Sequence, residues 1–213
     1  MHRYDRCGCG SNLRGPAVRA LALTDLATLG GVKQVSVFDV GASTSGWDGS
    51  AWTPTSGWAT ATGTSNGQPR MRRASGLSTH VGYLEFEMWQ TGTSADNWVG
   101  FALGWGTSTT SSDDGYFWVV RSPSSTVVPN QIVGAYGSGT TYTLPAAPNS
   151  EANKVTIGLE VTGPKTTTVY VNRVPRCSMT HTTDHSAKRN VMFCVDNGAV
   201  GRIRNVAVYD RRP

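Results

Sequence analysis

Charge is scarce in this sequence, and what there is leans one way. Only 15% of the 213 residues are charged, and four lysines stand beside fifteen arginines for a formal net charge of +5. No apolar run reaches the roughly eighteen residues that a membrane-spanning helix needs. The first sixteen residues, MHRYDRCGCGSNLRGP, contain no apolar h-region. A standard secretory signal is therefore not expected, and the chain is read as folding in a cytosol. Signatures of several large enzyme classes are missing too: no G-x-S-x-G elbow, no P-loop, no H-E-x-x-H and no Rossmann fingerprint. Helix-forming composition is confined to residues 17–29 (AVRALALTDLATL), where Val18, Leu21, Ala22 and Leu29 share a helical face with Asp25. A short strand and a turn would fit that stretch equally well.

The basic residues are dispersed: Arg70, Arg72 and Arg73, then Arg173 and Arg176, Lys188 and Arg189, Arg202 and Arg204, Arg211 and Arg212. A nucleic-acid surface would gather them in one stripe with aromatics between. Alternate arginines on strands fit a solvated sheet face or subunit contacts better, so no nucleic-acid partner is expected.

What the chain has in quantity is period-two alternation. Val155, Ile157, Leu159 and Val161 alternate with Thr156, Gly158, Glu160 and Thr162, which predicts a strand with one buried face. Gly163-Pro164 breaks the run, and residues 167–172 alternate again with Val169 and Val171 on one side, giving an antiparallel hairpin. Residues 190–196 and 202–210 read as two more strands around the turn Asp196-Asn197-Gly198. Upstream, 80–90 (HVGYLEFEMWQ) puts Leu84, Phe86 and Met88 on one face and Tyr83, Glu85, Glu87 and Trp89 on the other. In 97–105 (NWVGFALGW), Val99, Phe101, Leu103 and Trp105 form the apolar face. The opposite face, Trp98, Gly100, Ala102 and Gly104, reads as a trough floored by small residues. Residues 34–40, 70–75, 115–122 and 131–136 complete the strand set, and 177–188 reads as a polar loop.

Over roughly residues 80–210, the pattern VTIGLEVTG…TVYVN…MFCVDN…VGRIRNVAVYD resembles laminin-G-like, concanavalin A-type sandwich domains. The resemblance implies an all-β fold, an antiparallel two-sheet jelly-roll sandwich, taken to span 33–213; residues 1–32, which differ in composition and end at Gly30-Gly31, read as an N-terminal arm. It also implies a fold that often binds glycans and often holds calcium.

Four sets of residues are candidates for chemistry. Glu85 and Glu87 project from one face about 6.5–7 Å apart, and paired carboxylates are what glycoside hydrolysis uses. The laminarinase-type hydrolases that the resemblance brings in carry a third acid on the same strand. Here Met88, Trp89 and Gln90 follow instead, leaving Glu160 on another strand as the only stand-in. A solvated sheet face explains the pair as well. Tyr83, Trp89, Trp98, Tyr116 and Trp118 are candidate sugar-stacking residues, with Trp47, Trp52 and Trp58 in rim loops. Calcium would find oxygen ligands at Asp96-Asn97 and Asp113-Asp114, which are also ordinary turn residues. Zinc would need Cys7 and Cys9 brought to Cys177, His181 and His185. A Cys177–Cys194 disulfide competes with that set, and free thiols are the default in a cytosol.

A lectin-like sandwich without an export signal is reconciled most simply by a virus particle. The expected function is therefore a structural or adhesive virion component, such as a tailed-phage decoration, tail or fibre protein. It would assemble through its arm with other virion proteins into an oligomer, and hold host-surface glycans. A free-standing lectin and a polysaccharide hydrolase are the alternatives.

Overall fold

The computed structural model describes residues 34–49, 51–64, 68–77, 81–92, 94, 97–106, 115–122, 124–130 and 138–213. The arm at 1–32, the strand expected at 131–136, and Cys7, Cys9, Asp96, Asp113 and Asp114 lie outside the described residues.

The described chain is an antiparallel two-sheet jelly-roll sandwich. One sheet runs β2 (Thr53–Thr55), β3 (Trp58–Thr62), β15 (Ala199–Tyr209), β5 (Tyr83–Gly92), β11 (Val155–Gly163), β12 (Thr166–Val171), β13 (Val174–Thr180), β9 (Ser138–Gly139). A ninth strand, β1 (Val35–Phe38), pairs with the end of β15 beyond β3. The other sheet runs β10 (Tyr142–Thr143), β8 (Thr126–Pro129), β7 (Tyr116–Arg121), β6 (Trp98–Trp105), β14 (Asn190–Val195), β4 (Arg70–Ala74). The only helical element among the described residues is a 3₁₀ turn, Glu151–Asn153.

Alternation decides which side chains meet between the sheets. Leu84, Phe86 and Met88 of β5 pair with Leu159, Ile157 and Val155 of β11, and all point inward. Across the gap Phe86 packs edge-on against Phe101 and Phe193, with ring centroids 5.2 and 4.9 Å away. Trp47 and Trp52, expected in rim loops, are buried in this same core, with the Trp47 ring against Phe193. Trp58 is buried as well, but on the outer face of the nine-stranded sheet. The polar loop expected at 177–188 begins inside a strand, β13, in which Cys177 and Met179 turn inward between exposed neighbours.

The outer face of β6 is not a trough. Phe117 occupies it: a Cβ at Gly100 would fall 2.5 Å from the Phe117 ring and 2.8 Å from the Cys194 sulfur. Trp105 joins this outer layer instead of the inter-sheet core. The reason is Gly104, whose φ of 61° inserts a left-handed residue and reverses the alternation. Trp98, Ala102, Trp105, Phe117, Val119, Met192 and Cys194 thus form a second buried apolar cluster on the outer side of the six-stranded sheet.

Phe86 bridges the two sheets, so Phe86→Ala is expected to lower unfolding free energy by about 3–5 kcal/mol. Urea denaturation checks this, with the midpoint falling and the slope unchanged.

Candidate functional site

The outer face of the nine-stranded sheet is polar and aromatic, and it holds two stations along β5. At one end Trp58 and Trp89 meet edge to face at 6.2 Å. Each is capped by an arginine of β15, with the Arg202 guanidinium 3.9 Å from the Trp89 ring centroid and that of Arg204 4.0 Å from Trp58. Arg204 also pairs with Glu87 at 2.8 Å and Glu151 at 3.2 Å, and Trp58 Nε1 donates to Glu151. Ion pairing occupies Arg204 with Glu87 and Glu151, while Arg202 lies over Trp89 and makes no ion pair among the described residues.

At the other end the side chains enclose a cleft of about 280 Å³, lined by Tyr83, Glu85, Arg173, Tyr209, Arg212 and Pro213. Tyr83 forms the floor. Its ring lies across β11 because residue 158 is glycine; a Cβ there would sit 2.2 Å from the Tyr83 hydroxyl. Tyr170 and Tyr209 flank it, with centroids at 6.0 and 5.8 Å. The Tyr83 hydroxyl donates to Glu85 at 3.1 Å, and Arg173 clamps the same carboxylate from outside through two contacts of 2.9 and 3.3 Å. Burial raises the Tyr83 hydroxyl well above the ordinary range, and neighbouring Glu85 adds to the effect. The phenol therefore stays a donor at every physiological pH. Arg212 stacks on Tyr170 at 4.1 Å and donates to its hydroxyl, which in turn donates to Glu160. Arg173 stands in the tight turn joining β12 to β13, where Asn172 and Arg173 have φ of 50° and 67°. A larger hollow, about 460 Å³, lies beside Val161, Thr162, Gly163, Pro164, Ser186 and Ala187, and no charged side chain lines it.

The five candidate sugar-stacking aromatics do not share one surface. Tyr83 and Trp89 are on this outer face, Trp98 is in the apolar layer of the opposite sheet, and Tyr116 and Trp118 point into the inter-sheet core. Tyr116 and Trp118 pair with Leu103 and Phe101 of β6, and so share their inward face. Glu85 and Glu87 do share a face, and each is engaged by an arginine. Asn97, a candidate calcium ligand, has its carboxamide occupied by the Ser94 N–H and the Asn197 carbonyl. Tyr209, Arg173 and Arg212 are site residues that the sequence does not signal. They come from a strand end, a turn and a tail far apart in the chain, and no local spacing announces them.

No protein-family model matches the chain, and no curated protein sequence matches it. Solved structures do share its fold. One is the carbohydrate-binding module CBM66 from Bacillus subtilis, at 18% identity and TM-score 0.52, covering 76% of this chain and 93% of that one. Another is the Emp47p carbohydrate recognition domain, at 10% identity and TM-score 0.55, covering 80% and 90%. A third is the Crh5 transglycosylase, at 12% identity and TM-score 0.59, covering 84% and 85%. The shared feature is the lectin-like sandwich.

Of the expected zinc set, Cys7 and Cys9 lie outside the described residues, while Cys177 and His181 keep the inward phase of β13. Cys177 is buried in the core as a free thiol, with burial pushing its pKa up to about 12. Cys194 is free too, in the apolar layer on the far side of the other sheet, which rules out the competing Cys177–Cys194 disulfide. No group of three His, Cys, Asp or Glu among the described residues is placed to hold a metal ion. His181 and His185 both pack edge-on against Tyr116, at 4.9 and 5.2 Å. Thr167 Oγ1 accepts from Trp118 Nε1 at 3.1 Å and lies 2.8 Å from His181 Nε2. Burial, and then the proximity of His185, push the His181 pKa down from 6.5 to about 4.

Between those two values the unfolded chain binds more protons than the folded one. His181's contribution is therefore complete above pH 6.5 and is lost as pH falls through about 4, roughly 3 kcal/mol in all. Thermal unfolding across pH 4–7 is expected to show this acid limb, and His181→Leu is expected to flatten it whatever its effect on absolute stability.

Proposed function

We propose that this chain is a carbohydrate-binding module that seats a sugar in the cleft between Tyr83, Glu85, Arg173, Tyr209 and Arg212, without turning it over. The observation that carries this reading is the cleft itself. It combines the half-buried Tyr209 ring for the C–H face of a sugar, a carboxylate fixed by two partners as a hydroxyl acceptor, and two guanidiniums as donors. The carbohydrate-binding names of two neighbours of the same fold support it. Binding without hydrolysis is supported by Glu85 and Glu87, each tied up in an arginine pair on one strand. A hydrolase needs one such carboxyl free to give a proton and the other free to attack or to activate water.

The setting we propose is a virus particle assembled in the host cytoplasm, where the module would act as an adhesive component and residues 1–32 would contact other virion proteins. Light scattering on the full-length chain is expected to give a defined oligomer, and a monomer at all concentrations would remove this setting while leaving the binding proposal intact.

Glycan-array or calorimetric titration tests the cleft. Tyr209→Ala is expected to weaken binding at least tenfold, which is about 1.4 kcal/mol. Gly158→Ala, which drives Tyr83 off its bed, is expected to weaken binding comparably and to lower stability by about 1–3 kcal/mol. Binding by the parent that neither change reduces would place the sugar elsewhere.

A further inference from the structure

We infer that the cleft prefers sugars bearing a carboxylate, such as uronic or nonulosonic acids, and that Arg212 takes their charge. This rests on reading the cleft as the sugar site. Two cationic side chains and one carboxylate line it. Glu85 is already matched, since Arg173 grips both its oxygens and Tyr83 donates to one of them. Arg212 is not matched: among the described residues it makes no ion pair, and its only hydrogen bond is the 3.4 Å donation to the Tyr170 hydroxyl. Glu160, the next carboxylate along that chain of contacts, is reached only through Tyr170. An exposed arginine without a carboxylate is ordinary on a protein surface. Arg212 differs because its contacts with the Tyr170 ring and hydroxyl hold its guanidinium on the wall of a cleft, with most of its donors unused. A planar fork held in place suits a bidentate carboxylate. The Glu85 carboxylate, itself an acceptor for hydroxyls, would repel an anion placed on its side. The ligand's charge therefore belongs at the Arg212 end and its hydroxyls at the Glu85 end.

The test is titration of the full-length protein, followed by NMR or calorimetry, with matched probes: sodium glucuronate against glucose, sodium galacturonate against galactose, and sodium N-acetylneuraminate against N-acetylglucosamine. The expected result is that at least one acid binds tenfold or more tightly than its neutral counterpart. Arg212→Gln should remove that preference, and Arg212→Lys should keep part of it. Both substitutions sit on an exposed residue and leave the core untouched. If neutral sugars bind as well as acids, with Tyr209→Ala abolishing both, the charge preference is overturned and the cleft stands. A preference unchanged in Arg212→Gln overturns the role given to that residue. If none of these sugars binds the parent protein, both the preference and the cleft reading fall.

Discussion

Everything on the outer face depends on which way Phe86 points. Its ring is gripped between Phe101 and Phe193 of the opposing sheet, and a one-residue slip of β5 would carry it into solvent. With Phe86 held inward, period-two geometry leaves Tyr83, Glu85, Glu87 and Trp89 no choice but to face out. The neighbours follow in register: Glu85 opposite Gly158 on one side and Ala207 on the other, Glu87 opposite Arg204. The small partners at 158 and 207 leave room for the tyrosine floor of the cleft, while the large one at 204 builds the closed arginine–tryptophan station. Apolar packing between the sheets thus sets the polar chemistry outside them.

Much of this arrangement is legible in the amino-acid sequence. Alternation alone locates β5, β6, β11, β12 and the ends of the β14–β15 pair, and the resemblance indicates two antiparallel sheets. Alternation does not say which face is inward on a strand apolar on both sides. Every residue of β6 is buried, so the face taken by Trp105 follows only from the phase reversal at Gly104. Tyr116 and Trp118 mislead for the same reason, since β7 is apolar throughout. β13 escapes notice because its outward residues are polar or proline, although Cys177, Met179 and His181 keep strict alternation. The cleft is half visible: Tyr83 and Glu85 stand out on their strand, but their partners lie about ninety and more residues away and meet them only through strand order.

The arginine-rich, lysine-poor composition also gains a physical reason. Along the sequence the arginines look scattered, yet Arg173, Arg202, Arg204 and Arg212 converge on one sheet face. Three of them sit over aromatic rings, and two engage carboxylates. A flat, weakly hydrated guanidinium can stack and bond at once, whereas an ammonium group does neither as well. Exchange for lysine would keep the net charge and lose the surface.

The turn between β12 and β13 bears on how such a site persists. Two successive left-handed residues are the geometry that Asn-Gly satisfies with least strain, and this chain has Asn172-Arg173. Were folding the sole pressure, drift would be expected to install glycine at the second position. An arginine kept there gives up a little backbone ease in exchange for a fixed approach to Glu85. That local departure from the most relaxed sequence is the mark by which distant relatives retaining the cleft should be told from those that kept only the sandwich.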